Sequence, residues 1–405
     1  MHTTPLQDLK IVEYASFVAG PYCAKLLGDM GAEVVKIEEP PTGDEARTRG
    51  PFPGDLPHPE KSGLFLYLNT NKLGITLNPR DPAGHDVLLH LLGEADVFVH
   101  DRTAARAESL GIDFPTLHQL NPRLIVTSVT PFGHTGPYAE YRAHNLNLCH
   151  AGSEGYMLPG GLGHQMFPHR PPLKLGGYTG DYDGGMAAAI GTMAAVLARE
   201  VWGRGQHVDA SRQEANIALN RVAFVTYLSE GKVTRRDNRT YPFGGLYPTR
   251  DGHVVLRPTE DQHWRPLARA MGRPELADDP RFAQRAARIR NGEALNAVLA
   301  EWTRQHTTVE VYEAARGVGC PVAPFANARE IAESPQLEAR GYFVEIDHPE
   351  AGRWPYPSAP YRFSKTPWSA RRPAPLLGQH NQEVLGGRLG FTGEELSLLR
   401  ANGVI

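Results

Sequence analysis

The most constraining feature of this chain is a repeated alternation of short apolar runs with longer helical segments over roughly its first 210 residues. The strand-like runs lie at 9–14, 33–37, 95–99, 123–128 and 206–210. The helical segments lie at 19–30, 83–93 and 181–199. Short strands that alternate with helices build a parallel sheet with helices on both faces. The sequence therefore predicts an α/β fold with a Rossmann-like, doubly wound parallel sheet.

Length and a shift in composition indicate two domains. A chain of 405 residues exceeds the size of one ordinary core. Past residue 230 the pattern changes to two short strands around the turn at 250–252, followed by helices from 261 to 316. From about 337 the chain is rich in proline, so we expect it to return across the first domain. We predict a large domain of residues 1–225 plus 335–405, with a smaller α/β domain inserted at 226–334.

Charge and cysteine usage exclude several classes of protein. A net charge of −3 and an isoelectric point near 6.6 argue against a general binder of nucleic acid or of membrane surfaces. The three cysteines show neither CxxC spacing nor a metal-ligand pattern, and they suit a reducing compartment. No secretion signal or membrane-spanning run is evident. We expect a cytoplasmic protein without a bound metal.

Asp181 is the strongest candidate for chemistry. It begins a helix of small residues, and five glycines surround it, at 176, 177, 180, 184 and 185. A carboxylate at a helix start is commonly a cap, because it accepts unpaired backbone N–H groups. Glycines, however, let another molecule approach the backbone closely, which a carboxylate nucleophile requires. The residues alone leave both interpretations open.

The loop after the first strand argues against a dinucleotide site. Residues 16–21 contain one glycine, where the phosphate-binding loop G-x-G-x-x-G needs three. Val18 and Ala19 carry side chains where a pyrophosphate requires bare backbone. Glu38 closes the second strand as a possible ribose acceptor, but without the loop it does not make an NAD site. A Rossmann-like fold with another ligand is the better interpretation.

Motifs spread along the chain resemble the family III coenzyme A transferases, which include formyl-CoA transferase, crotonobetainyl-CoA:carnitine transferase and α-methylacyl-CoA racemase. No single motif decides the resemblance, but their number and order are specific. They are Ala19-Gly20-Pro21, Gly31-Ala32-Glu33-Val34-Val35-Lys36-Ile37-Glu38, Asn69-Thr70-Asn71-Lys72, Gly133-His134-Thr135-Gly136-Pro137-Tyr138, Gly180-Asp181, Gly203-Arg204-Gly205-Gln206 and Pro375-Leu376-Leu377-Gly378-Gln379-His380.

The resemblance implies that Asp181 is the nucleophile. Its carboxylate attacks an acyl-CoA to give a mixed anhydride, and the CoA thiolate then forms an aspartyl-CoA thioester, so that one difficult exchange becomes several easier ones. Gly180 and Tyr182 then border the substrate, and the neighbouring glycines offer room and N–H donors for oxyanions. Coenzyme A and acyl-CoA are implied as substrates, with no permanently bound cofactor.

The resemblance carries over to coenzyme A contacts less completely. It places Phe17, Val18 and Ala19 along the nucleotide and Lys72 near the same ligand. Asp101 and Arg102 stand where the family has an Asn-Phe pair. Arg102 and Arg106 suit phosphate groups, although two solvated arginines on a loop are nearly as good an interpretation. Glu39 replaces a basic or polar residue of the family, and its charge repels phosphate.

Three further expectations complete the interpretation. Racemases of the superfamily carry a His-Asp pair where this chain has His144 and Asn145, so acyl-CoA racemisation by His144 and Asp181 is the alternative to transfer. The glycine-rich segment at 158–163, followed by Lys174, is either a lid over an acidic acceptor or a solvated loop. Finally, the family's interlocked homodimer implies the same assembly for this chain.

Overall fold

The computed structural model describes residues 4–158, 160, 161, 163, 164, 167–219, 221–237 and 242–405. The chain forms two compact units. The first comprises Met1–Gly155, Lys174–Val225 and Glu338–Ile405, and the second comprises Tyr156–Leu173 and Thr226–Leu337. By its contacts, Tyr156–Leu173 therefore belongs with the second unit, whereas the sequence pattern assigns it to the large domain. That the second unit is an independently folding inserted domain stays a prediction.

A six-stranded sheet forms the centre of the first unit. Its strands are β1 (Lys10–Tyr14), β2 (Glu33–Glu38), β3 (Lys72–Thr76), β4 (Val97–His100), β5 (Ile125–Thr130) and β6 (His207–Ser211). They pair in the order β3-β2-β1-β4-β5-β6, and every pair is parallel. This confirms the predicted α/β fold with a parallel sheet. The sequence pattern missed β3, since Gly74 interrupts its apolar run, where a Cβ would come within 2.6 Å of Pro375.

Helices follow most strands of the central sheet and make up much of the second unit. In chain order they are α1 (Ala19–Asp29), α2 (Gly63–Leu68), α3 (Pro82–Gly93), α4 (Ala104–Ser109), α5 (Phe114–Leu120), α6 (Asn145–Ala151), α7 (Glu154–Met157), α8 (Thr179–Trp202), α9 (Arg212–Leu219), α10 (Arg221–Glu230), α11 (Asp261–Ala270), α12 (Arg285–Arg290), α13 (Gly292–Gln305), α14 (Thr308–Gly317), α15 (Ala328–Ala332), α16 (Pro335–Ala339) and α17 (Gly393–Ala401). None of the helices in the described ranges is long and apolar enough to cross a membrane.

Alternate residues of each central strand build two separate cores. Val12 and Tyr14 of β1 pack on one face with α3, α5 and the C-terminal segment that ends in Ile405. Ile11 points to the opposite face, where α1 and α8 contribute small side chains such as Ala24 and Ala188. Successive strand residues point to opposite faces, so a sheet that is buried on both sides favours apolar residues at consecutive positions. This explains the apolar runs in the sequence, which are interrupted by buried charged residues such as Glu13 and Lys36 that pair with each other.

The second unit contains a three-stranded antiparallel sheet. Its strands are β7 (Gly245–Pro248), β8 (His253–Leu256) and β9 (Val322–Pro324), in the order β7-β8-β9. Its core gathers around Trp264, whose indole N–H donates to the Leu276 carbonyl oxygen at 3.1 Å. In the first unit, the proline-rich return also forms a two-stranded antiparallel ribbon, β10 (Phe343–His348) with β11 (Gly352–Pro357).

Candidate active site

A cavity lies where the carboxyl ends of the central strands meet. The strand order reverses between β1 and β4, so the loops that follow these two strands leave toward opposite faces and open a crevice between them. A cavity of about 480 Å³ occupies this position. It is lined by residues 16–20, Glu45, 101–103, Val129, Pro131, 141–144 and Arg212. Ligands of open α/β sheets bind at such a switch point, so this cavity is the candidate active site.

Asp181 lies beside the cavity in the first turn of α8 and has 0% exposed surface. Its Oδ1 accepts a hydrogen bond of 2.7 Å from Nη1 of Arg212. Its Oδ2 has no hydrogen-bond partner among the described residues. Burial raises the pKa of the Asp181 carboxyl, and the Arg212 guanidinium opposes this rise. A capping carboxylate accepts backbone N–H groups, whereas this one is paired with an arginine, which favours a chemical role over a cap.

Arg212 is a candidate functional residue that the sequence interpretation missed. It follows β6 directly, so its side chain starts at the carboxyl end of the sheet and reaches the cavity wall. Nη2 donates to the Ala143 carbonyl oxygen at 3.4 Å. A Cβ at Gly184 would lie 2.7 Å from Cγ of Arg212, so this glycine gives the arginine room to pass α8. A charged residue directly after a parallel strand was the signal that could have revealed it.

Three of the five glycines around Asp181, namely Gly180, Gly184 and Gly185, lie in closely packed positions. A Cβ at Gly180 would come within 2.6 Å of the Asn216 side chain, and one at Gly185 would overlap the carbonyl oxygen of Ala19 in α1. Asn145, with its amide turned to satisfy its hydrogen bonds, accepts from the N–H groups of Gly180 and Asp181 at 3.1 and 3.2 Å. These two N–H groups are therefore already paired. That other glycines near Asp181 offer N–H donors to oxyanions stays a prediction.

The β1–α1 loop, with Phe17, Val18 and Ala19, forms one wall of the cavity. That this loop contacts the nucleotide of coenzyme A stays a prediction. Phe17 has a backbone φ of +70° and packs its ring edge-on against Tyr178, with ring centroids 4.7 Å apart. The Val18 and Ala19 side chains are buried. Val18 has no exposed surface and Ala19 very little, so Phe17 is the one of these three residues with the most surface open to the cavity.

Lys72 lies in the core, which corrects its expected contact with coenzyme A. Its Nζ donates to the Pro21 carbonyl oxygen and to Oδ1 of Asn69, and it forms an ion pair of 2.7 Å with Glu13. Lys72 has no exposed surface, so its ammonium group does not face a phosphate in the cavity. Burial lowers the pKa of Lys72 to about 8, with Glu13 opposing the shift.

The two arginines expected at the phosphates lie apart. Arg102 lines the cavity, stacks over the Tyr14 ring at 4.3 Å and pairs with Glu39 at 3.5 Å. Glu39 therefore holds Arg102 in place in addition to repelling anions. Arg106 lies on α4 in a separate depression with Arg80, outside the set of residues that line the cavity.

The remaining site candidates also differ in whether they line the cavity. His144 precedes α6 and lines the cavity, and its own N–H is bonded to Oδ1 of Asn147 at 3.1 Å. Tyr182 packs edge-on against Tyr22, with ring centroids 4.8 Å apart, and burial raises the pKa of its hydroxyl to about 12. Lys174 donates to two carbonyl oxygens, those of Leu175 and Gly177. Tyr182 and Lys174 thus shape the start of α8 and are not part of the cavity lining.

Two expectations from the sequence concern features away from this cavity. The glycine-rich segment belongs to the second unit, and its Pro159 and Leu162 lie outside the described residues. The sequence also lacks a metal-ligand pattern. In the described part of the chain, no group of three His, Cys, Asp or Glu side chains is placed to hold a metal ion.

Comparison with known proteins assigns the family. The profile described as CoA-transferase family III matches residues 6–381. The chain belongs to this family. It is 33% identical to the succinyl-CoA–D-citramalate CoA-transferase of Chloroflexus aurantiacus, over 99% of this chain and 98% of that protein. It is also 33% identical to the formyl-CoA:oxalate CoA-transferase of Streptomyces avermitilis, over the full length of both.

A solved structure agrees with this assignment. A CaiB/BaiF family protein from Brucella suis superposes with a TM-score of 0.84 and 30% sequence identity, covering 96% of this chain and 100% of that one. The protein is therefore a family III CoA-transferase, and the resemblance found in the sequence is confirmed. The family implies CoA thioesters as substrates.

Proposed function

We propose that this transferase moves coenzyme A from an acyl-CoA to a free carboxylic acid through covalent intermediates on Asp181. The observation that carries the proposal is the hydrogen bonding of the two oxygens of the Asp181 carboxylate. Oδ1 is held by Arg212, while Oδ2 has no hydrogen-bond partner in the described structure. A buried carboxylate with one anchored oxygen is oriented for attack through the other.

The proposed reaction proceeds by four exchanges, each of which transfers an acyl group from one nucleophile to another. Asp181 attacks the thioester carbonyl carbon, the C–S bond breaks, and a mixed anhydride and CoA thiolate result. The thiolate attacks the aspartyl carbonyl carbon of the anhydride and releases the first acid as its carboxylate. The acceptor carboxylate then attacks the aspartyl-CoA thioester, and the thiolate released in that step finally attacks the acceptor's acyl carbon. Asp181 is regenerated, and no oxidant, metal or further cofactor is consumed.

The cavity lining supports the binding of coenzyme A and of an acidic acceptor. Phe17, Val18 and Ala19 of the β1–α1 loop are the proposed contacts for the nucleotide part, with Phe17 the most exposed of the three and Arg102 nearby. Arg142 is exposed and also lines the cavity. Several relatives are named for dicarboxylic acids, such as succinyl-CoA with D-citramalate. We therefore propose a short dicarboxylic acid as acceptor, with Arg142 binding the carboxylate that does not react.

A homodimer is also proposed. Helix α8 exposes large apolar side chains on one side at spacings of four and seven residues, namely Met186, Ile190, Leu197 and Val201. A stripe of this kind suits a second protein surface. A cytoplasmic location remains the proposal made from composition.

The test combines a substrate matrix with a trapping experiment. Purified protein is incubated with short-chain acyl-CoAs and a panel of monocarboxylic and dicarboxylic acids, and a new thioester is expected only when both substrates are present. With acyl-CoA alone, hydroxylamine should leave a hydroxamate on the peptide that contains Asp181, visible by mass. Asp181→Asn should lower turnover at least about 100-fold. A residual rate above that level refutes the covalent role.

Asp183 provides the matched control. It lies two residues further along the same helix, is partly buried, and has a pKa that burial also raises. Asp183→Asn should keep transfer activity close to that of the wild type. If both variants lose activity equally, the effect comes from the helix and not from a nucleophile at Asp181.

A further inference from the structure

Arg212 connects the cavity with the buried carboxylate. Its side chain lines the cavity and is 15% exposed, whereas Asp181 is fully buried and does not line the cavity. The ion pair between them is 2.7 Å long. We propose that Arg212 is a catalytic residue that passes from the Asp181 carboxylate to each anion that the reaction releases, first the CoA thiolate and then the free carboxylate. This inference rests on the proposed covalent role of Asp181.

The charge balance of the first exchange requires such a residue. Asp181 forms a C–O bond to the acyl carbon, and the C–S bond breaks with its electron pair on sulfur. The negative charge thereby leaves Asp181, which is now a neutral anhydride, and appears on the thiolate. The guanidinium stays charged throughout, so it loses its partner at the moment when a new anion forms nearby. A buried charge without a partner is strongly unfavourable, and pairing with the thiolate removes that penalty.

The second exchange repeats the same balance. The thiolate forms a C–S bond to the aspartyl carbonyl carbon, and the C–O bond of the anhydride breaks with its electron pair on the departing carboxylate. The thiolate loses its negative charge when it forms the bond, and the departing carboxylate gains one. During each exchange the site therefore holds one reacting anion beside Arg212, whichever molecule carries it. A fixed cation that matches a charge as it develops lowers the barrier of each step without rearrangement of solvent.

The surroundings of Arg212 support a movement of its guanidinium with a fixed backbone. The Ser211 and Arg212 backbone is tied to β6 and α9. The contact of Nη2 with the Ala143 carbonyl oxygen, at 3.4 Å, is long for a hydrogen bond. Nε has no hydrogen-bond partner in the ranges that the structure describes. The side chain is thus anchored at its base and weakly held at its tip, apart from the ion pair with Asp181.

The decisive experiment measures the covalent step directly. Rapid mixing with acyl-CoA, followed by acid quench and mass analysis of the Asp181 peptide, gives the rate at which the aspartyl-CoA thioester forms. Arg212→Gln and Arg212→Met should slow this rate by at least about 100-fold, as loss of a transition-state charge donor does. Arg212→Lys keeps the charge and should retain a rate within about tenfold of the wild type.

Chemical rescue separates catalysis from structure. Arg212→Gly should regain thioester formation when guanidinium chloride is added below denaturing concentrations, and should gain nothing from urea, which has the same shape without charge. Arg199→Gln is the matched control, since Arg199 is a buried arginine of α8 that pairs with Asp96. It should lower thermal stability while leaving the rate of thioester formation unchanged.

The outcomes distinguish this inference from the proposal on which it rests. If the wild type forms no adduct on Asp181, the covalent mechanism itself fails. If the adduct forms and Arg212→Gln forms it at the wild-type rate, Arg212 is no counter-ion and this inference is overturned while the mechanism stands. Rescue by urea as good as that by guanidinium overturns it as well. Should Arg212→Gln not fold, the Arg212→Lys and rescue measurements decide alone.

Discussion

The Phe17 N–H donates a hydrogen bond of 2.8 Å to Oδ1 of Asp44, at a point where Phe17 has a backbone φ of +70°. A left-handed conformation costs a non-glycine residue roughly 1–2 kcal/mol. Asp44 is buried and forms an ion pair of 2.8 Å with Lys36. Burial alone raises the pKa of Asp44, but Lys36 and the hydrogen bonds outweigh it and lower the pKa. A buried anion thus holds the strained wall of the cavity.

Asp44→Asn should therefore weaken both the fold and substrate binding. The amide keeps an oxygen for Phe17 but removes one of the two carboxylates that pair with Lys36, and Glu13 remains its partner at 2.9 Å. Breaking a buried ion pair costs about 3 kcal/mol when no partner remains, so the loss here should be smaller, about 1–2 kcal/mol. We expect the free energy of unfolding in urea to fall by that amount, and KM for acyl-CoA to rise more than kcat falls. Glu94→Gln is the control, because its pair with Lys10 is exposed and should contribute at most about 0.5 kcal/mol.

Two substitutions at Phe17 separate the strain from the ring. Phe17→Ala and Phe17→Gly both remove the contact with Tyr178, but only glycine adopts the positive φ freely. Phe17→Gly should be the more stable of the two by about 1 kcal/mol, measured by urea unfolding. Equal stabilities would show that the loop relaxes once the ring is gone.

Gly185→Ala should disrupt the packing of α8 on α1. The added methyl group overlaps the Ala19 carbonyl oxygen, a backbone atom that cannot turn aside. We expect a loss of about 2 kcal/mol or more in the free energy of unfolding. At Gly176 nothing lies within 4 Å of an added Cβ, so Gly176→Ala is the matched control. A Gly185→Ala variant as stable as this control would contradict the close helix contact.

The raised pKa of Asp181 predicts two responses to pH. As a nucleophile it must be ionised, so the rate of aspartyl-CoA formation should rise with pH across a pKa above the ordinary value of 3.8. Between 3.8 and the folded-state pKa, the folded protein holds a proton that the unfolded chain has lost. The contribution of this group to stability therefore falls as pH rises through that window. Asp181→Asn should abolish this decline in urea unfolding, and an unchanged pH profile would oppose the assignment.

His144 distinguishes transfer from racemisation. It lines the cavity, but Asn145 beside it cannot ionise and accepts N–H groups of α8. We expect His144→Ala to lower transfer within about tenfold, or roughly 1.4 kcal/mol. In deuterated water without an acceptor acid, the acyl Cα should gain no label. Complete loss of activity in His144→Ala, together with label at Cα in the wild type, favours the isomerase instead.

Much of the fold and the position of the candidate nucleophile could be predicted from local sequence patterns. The parallel sheet was predictable because buried strands and amphipathic helices differ in period over a few residues. Asp181 stood out because its helix start and its glycines are neighbours in sequence. What those glycines pack against was nevertheless not predictable. Gly180 and Gly185 accommodate Asn216 and Ala19, partners that no local pattern reveals.

By itself, the sequence determined the α/β class, the family and the position of the candidate nucleophile, because each depends on residues read in order along the chain. Only the tertiary structure shows which distant side chains pair with one another. It places Arg212 against Asp181 across 31 positions of sequence, and it buries Lys72 with Glu13 in the core. Such contacts arise from the order of the strands and from the close approach of α8, α9 and α1. Charge pairing in a buried site therefore follows from packing between distant segments, and no periodicity of a single segment encodes it.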